Sequence, residues 1–164
     1  MPVAGGQIIT AADMNRALAG GPERPLCIVT NTVVQSVLNN SVTTPLTWDT
    51  EVKDTHGWHS TSSNTSRITP LRAGWVEVKA LLHWAGNATG RRSTLAKKNG
   101  GTANYGEIKA ATSASGVSTV LVREYEVNGS TDYLEIFGFQ DSGGALNTAD
   151  VVNTYFSVTW VRES

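Results

Sequence analysis

The sequence predicts an all-β protein, a β-sandwich preceded by a short N-terminal helical arm. Three observations carry this. From Pro25 onward, apolar and polar residues alternate with a period of two in about nine short segments. Gly, Thr, Ser and Asn are abundant, and the five Trp sit inside those segments, as expected of strands joined by tight turns. Turn signals separate the segments: Gly86-Asn87, Asn99-Gly100-Gly101, Asn128-Gly129-Ser130 and Ser142-Gly143-Gly144. Asn-Gly pairs suit hairpins because both residues tolerate positive φ.

The 164 residues fit one domain, read as an arm over 1–24 and a sandwich over 25–164. The strands are predicted near 26–33, 43–49, 66–70, 74–85, 92–98, 103–111, 118–127, 132–139 and 154–162. The arm carries the one helix signal. Thr10 can cap it, Asp13 suits its first turn, and Gly20-Gly21-Pro22 stops it. Ile9, Met14 and Leu18 would share one face, and a helix this short needs something to dock on, which makes these three the candidate anchor residues. The clearest strand is 74–85, with Val76, Val78, Ala80, Leu82 and Trp84 on one face and Glu77, Lys79 and His83 on the other. In 132–139, Leu134 and Ile136 oppose Tyr133, Glu135, Phe137 and Phe139. In the last strand, Phe156, Val158 and Trp160 oppose Tyr155, Ser157, Thr159 and Val161. A sandwich strand with one wet face alternates cleanly, so apolar groups on both faces predict an outer face covered by another copy of the chain.

Composition narrows the function classes. Charged residues make up 16% and the net charge is -1, which gives no electrostatic footprint for nucleic acid. No apolar run approaches the roughly 20 residues of a membrane span, and the first residues have neither the basic nor the apolar region of a signal peptide. The reading is therefore a soluble chain made in the cytoplasm, in which the Asn-x-Ser/Thr sites at Asn39, Asn64, Asn87 and Asn128 have no role. The single Cys27 excludes an internal disulfide and reads as a buried small hydrophobe within Leu26-Cys27-Ile28-Val29.

No active site is visible. Asp49, Glu51, Asp54, His56 and His59 are the densest set of metal-ligand types, but they lack the spacing of a calcium loop or a zinc site and read as a solvated loop. His83 reads as a face residue of its strand. Arg91-Arg92 and Lys97-Lys98 read as charged hairpin ends. No nucleophile elbow, phosphate loop or dinucleotide fingerprint appears. The expectation is no catalytic residue, no metal and no cofactor.

A family resemblance runs through the chain from Trp48 to Trp160. Its marks are Trp48-Asp49, the loop from Asp54 to Ser60, Arg67-Ile68-Thr69-Pro70, Ala73-Gly74-Trp75 and Leu95-Ala96-Lys97-Lys98-Asn99-Gly100. They continue with Asp132 to Ile136, Gln140-Asp141-Ser142-Gly143-Gly144 and Phe156 to Trp160. Together these resemble the trimeric jelly rolls of the tumour necrosis factor and complement-head superfamily, and more closely the knobs of tail or head fibres in phages of actinobacteria. The segment from Gly5 to Asn15 looks like the attachment segment of tail-associated proteins in such phages. The family's Gly-Asp before a strand is absent, since Val117 follows Gly116. The resemblance implies a jelly-roll sandwich, no enzymatic activity, and a homotrimer with an aromatic sheet face at its axis, for which Tyr133, Phe137, Phe139, Phe156 and Trp160 are the candidates. It implies a place on the virion surface, bound to other virion proteins. The first reading is a fibre or tail-tip knob that contacts the host surface. A capsid decoration trimer that clamps the shell is the second, and a lectin or glycan-processing protein the third. An exposed Trp58 with His59 would suit stacking on a host glycan.

Overall fold

A computed structural model describes residues 23–111, 116–149 and 153–164; the arm helix and its Ile9, Met14 and Leu18 lie outside the described residues. The described residues form strands and no helix. In chain order these are β1 (Leu26–Thr30), β2 (Ser36–Val37), β3 (Thr50–Asp54), β4 (Arg67–Ile68), β5 (Ala73–Trp84), β6 (Arg91–Lys98), β7 (Asn104–Ala110), β8 (Val117–Asn128), β9 (Leu134–Gln140), β10 (Leu146–Asn147) and β11 (Tyr155–Arg162). They build a five-stranded sheet in the order β3-β1-β11-β5-β8, a four-stranded sheet β4-β9-β6-β7 and a small β2-β10 ribbon. All pairings are antiparallel.

The core lies between the two larger sheets, where the period-two pattern puts it. Val76, Val78, Ala80, Leu82 and Trp84 of β5 all point inward and are buried, beside Cys27 and Val29 of β1 and Phe156 and Val158 of β11. Leu134 and Ile136 of β9 and Ala96 of β6 face them. Trp84 spans the gap. Its indole N–H donates to Thr119 Oγ1 at 2.9 Å, and Thr119 Oγ1 lies 2.7 Å from Thr94 Oγ1 on the opposite sheet. A buried polar group without a partner costs about 1–3 kcal/mol, and this chain of hydroxyls removes that cost inside an apolar core.

Four elements differ from the sequence reading: the short strands β2 and β10 are additional to it, and the edge around 43–54 is built differently. The expected strand at 43–49 is an irregular edge, hydrogen-bonded only here and there: Leu46 N–H donates to Ile136 O and Trp48 N–H to Thr65 O, each at 2.8 Å. Pro45 in this stretch has no N–H to give a ladder. The strand that does form, β3, has a single apolar residue, the exposed Val52, among polar ones, so alternation could not reveal it. Its residues suit a sheet edge, and a register shift opposite Ile28 and Val29 breaks that edge further. The β6–β7 turn follows the sequence closely: Asn99 and Gly100 have φ of 53° and 67°, and Gly101 N–H donates to Lys98 O at 2.9 Å.

Gly74 explains the Ala-Gly-aromatic motif. Its φ is +126°, and a Cβ there would lie 2.3 Å from the Arg162 carbonyl oxygen, where β11 crosses the start of β5. Gly74→Ala is expected to destabilise the chain by at least about 1–2 kcal/mol from the backbone conformation alone. Chemical denaturation measures this, and a midpoint equal to wild type would contradict it.

Cys27 is buried in β1. Burial pushes its thiol far above the ordinary cysteine range, and the Asp54 and Glu51 charges push it further. The folded chain should therefore resist thiol alkylation, with modification appearing only as the chain unfolds. Rapid labelling in native buffer, read by mass, would place Cys27 at the surface instead.

Candidate assembly surface

The outward face of the five-stranded sheet carries apolar side chains that the described residues leave uncovered. The strand registers arrange them in rows. One row is Thr30, Tyr155, Leu81 and Val120; the next is Ile28, Ser157, Lys79 and Val122; a third is Leu26, Thr159, Glu77 and Glu124. Val122 is 58% exposed, and Ile28, Tyr155, Leu81 and Val120 are half-buried. They form one patch, bordered by charges that are already paired. Lys79 lies 2.6 Å from Glu77, and Arg162 lies 2.8 Å from Glu124, whose carboxyl is held below its ordinary range mainly by that hydrogen bond. A patch of this kind on a sheet face marks an interaction surface.

The four-stranded sheet also carries aromatic groups outward, but its own chain covers them. Lys97 Nζ sits 4.3 Å from the Phe137 ring centroid and donates to Val42 O at 2.8 Å. Tyr105 meets Phe139 edge-on with ring centroids 6.2 Å apart, and the Arg67 guanidinium lies 4.0 Å from the Tyr133 ring centroid. Phe137 is consequently buried, while Tyr133 and Phe139 are half-buried. The apolar pattern on both faces of β9 is thus met within the chain, by cations lying on the Phe137 and Tyr133 rings and by the Tyr105 ring against Phe139.

This arrangement matches known structures. Chains of the described shape include murine APRIL at pH 5.0, with a TM-score of 0.63, 10% identity, and coverage of 85% of this chain and 100% of that one. Another is Eiger TNF from S. frugiperda, at TM-score 0.60 and 9% identity over 86% of this chain and 96% of that one. The fold is the tumour necrosis factor jelly roll. No protein-family model matches the sequence, and no curated protein does. At this identity the likeness is one of fold.

Within the tumour-necrosis-factor-like frame, several sequence expectations need correction. Phe156 is fully buried between the sheets, on the same side of β11 as Val158, and its ring centroid is 5.8 Å from that of Trp48. It is a core residue and cannot face an axis. Trp160 has the same parity at the end of the strand, where its indole N–H donates to Ala73 O at 2.9 Å and Arg72 lies over its ring. The residues of β11 that face outward are Tyr155, Ser157 and Thr159, followed after a bulge at Val161 by Arg162, which pairs with Trp75 and reaches Glu124. The more aromatic face of β11 is the inner one, because a ring buries the most area against the facing sheet.

Trp58 is 2% exposed and is part of the core, not a sugar-stacking platform. His59 turns its ring inward too: Nδ1 lies 3.1 Å from Glu51 Oε1 and Nε2 lies 3.2 Å from Thr65 O. The expected ligand-type cluster is used up locally. Asp54 accepts the backbone N–H groups of His56 and His59, and Asp49 lies elsewhere, accepting from Thr32. Among the described residues, no group of three or more His, Cys, Asp or Glu converges on a common point. His83 Nδ1 shares a 2.8 Å hydrogen bond with Ser118 Oγ, and no carboxylate among the described residues bonds to either side chain.

Asp49 offers a pH test. Its hydrogen bond from the Thr32 hydroxyl, at 2.6 Å, chiefly holds its carboxyl below the ordinary aspartate range, against a smaller opposing effect of burial. A depressed carboxyl stabilises the fold above its unfolded value and loses that contribution as pH falls through the folded one. The Thr32 amide resonance should therefore shift only at pH values below the ordinary aspartate midpoint. A midpoint at or above the ordinary value would remove the clamp.

Proposed function

We propose that this chain is a non-enzymatic, homotrimeric surface protein of a bacterial virus, a knob held to its particle by the N-terminal segment and turned toward the host. The observation that carries the trimer is the apolar patch of Ile28, Tyr155, Leu81, Val120 and Val122 on a tumour-necrosis-factor-like sheet. Three copies packed around a three-fold axis would cover that patch on every chain with one kind of contact. The viral setting rests on the resemblance of the N-terminal Gly-Gly-Gln-Ile-Ile-Thr segment and of the Ala-Gly-aromatic, Lys-Asn-Gly and Gln-x-Ser-Gly elements to phage knobs.

Light scattering tests the first part. The trimer predicts a mass of about 52 kDa, three times the 17.5 kDa chain, and a stable monomer at micromolar concentration would remove it. A chain starting at Pro25 tests the second. It should keep its thermal midpoint and trimer mass while losing incorporation into particles. Imaging of labelled particles then separates a tail-tip knob from a trimer that decorates the capsid.

A further inference from the structure

The two ends of the sandwich differ in charge. β1 begins at the end where Glu23 pairs with Lys53 and Arg72 with Glu163, with Arg24 close by in a cleft lined also by His56 and Trp160. The first described residue, Glu23, lies there. The opposite end is built by the loops that follow β1, β5 and β9, and the described residues of those loops are neutral; Asp150, the next acid in the sequence, lies outside the described residues. Residues 31–48, 85–90 and 142–149 contain no charged side chain. The charges on its border are engaged: Asp49 with Thr32, Arg91 with Asp141 at 2.8 Å, and buried Arg92 with the carbonyls of Asn87, Thr89 and Arg91.

These loops are knitted into one surface. Thr148 N–H donates to Gln35 O and Ala85 N–H to Asn147 O, each at 2.9 Å, and Gly143 N–H donates to Asn39 Oδ1 at 2.8 Å. Gln35 clamps Thr47 from both ends of its amide at 2.8 Å, and the Asn31 amide donates to Val33 O. On this fixed backbone Val33, Val34 and Leu38 are 61%, 49% and 55% exposed. A loop held by that many hydrogen bonds could bury its aliphatic groups in the core, as the neighbouring Val37 does; it holds these three in water instead.

We infer that this neutral end is a docking surface for a protein whose facing patch is apolar and uncharged. The proposal rests on the reading that the N-terminal segment holds the opposite end to the particle. The chemistry selects a protein over other partners. Among the described residues of these loops no free cation is present to meet phosphate, anionic lipid or acidic sugar. Among the described residues of these loops the aromatic rings, Trp48 and Trp84, are buried, so none is free to stack on a sugar face. An aliphatic centre with a rim of Asn, Ser and Thr is the pattern of a protein contact.

The test uses the full chain as wild type, as the double variant Val34→Asp/Leu38→Asp, and as Leu71→Asp, an exposed position at the charged end. Each is checked for thermal midpoint and trimer mass, then labelled and added to intact host cells, to protease-shaved host cells and to vesicles of total host lipid. The expected result is that the wild type and Leu71→Asp bind intact cells, the double variant binds at least tenfold less, and shaving removes binding while vesicles capture nothing. Equal binding by the double variant, binding that survives shaving, capture by vesicles, or no binding by the wild type would each overturn the proposal. So would a double variant that folds and binds cells but no longer enters particles, since the neutral end would then be the attachment end. Failure of the anchor reading is seen separately, as particles that still incorporate the chain starting at Pro25.

Discussion

Trp84→Ala is expected to destabilise the folded chain by about 3–5 kcal/mol, the usual range for removing a large buried ring. Trp84 is completely buried at the end of β5, fills the gap between the sheets and donates to Thr119 Oγ1. Gly138 of β9 makes room for it: a Cβ there would come within 2.6 Å of the ring carbon Cη2 of Trp84 and 3.1 Å of Val37 Cγ2. Gly138→Ala should therefore cost about 1–3 kcal/mol by overpacking. In the Trp84→Ala background most of that cost should vanish, because the new methyl group would enter the space the ring left. The measurement is a double-mutant cycle by chemical denaturation at one fixed protomer concentration. Additive effects would mean that the two positions do not share that space. Trp84→Phe should lose much less than alanine, keeping most of the packing and giving up the hydrogen bond.

Leu81→Asp is expected to convert a trimer into folded monomers, and Phe156→Asp to unfold the chain. Both are apolar positions on neighbouring strands, but they lie on opposite faces of one sheet. Leu81 is half-buried in the outward row with Tyr155 and Val120, so in a monomer its carboxylate can reach water. In a trimer around that face, three carboxylates would be desolvated near one another, a cost of several kcal/mol. Phe156 is fully buried, and a carboxylate there has no route to solvent. Light scattering and near-ultraviolet circular dichroism distinguish the outcomes. A Leu81→Asp protein that keeps its trimer mass would move the interface off this face, and a folded Phe156→Asp monomer would place the ring at an axis after all.

The comparison of these two positions also shows how far the sequence could be read. Alternation alone determined that Val76, Val78, Ala80, Leu82 and Trp84 share a face, because strand geometry leaves no other arrangement for period-two residues. It fixed the turn at Asn99-Gly100 for an equally local reason, the tolerance of both residues for positive φ. The fold class followed from many such segments in a row. Alternation does not say which face is the inner one when both carry apolar groups. For β9 and β11 that was decided by the facing sheet, which drew Phe156 inward and left Tyr155 outside. The same limit applies to Trp58: nothing in a loop sequence states that its ring will be drawn into the core. The polar edge strand β3 escaped notice because its pairing with β1, and not any pattern of its own, makes it a strand. The sequence by itself determined the sandwich, its main strands and the absence of recognised catalytic motifs, all of which depend on local chemistry and spacing. Only the tertiary structure decided which sheet face the described residues leave uncovered, and that the charged and neutral ends lie opposite each other. Both are properties of residues far apart in the chain, and their positions relative to one another exist only once the sheets have paired and packed.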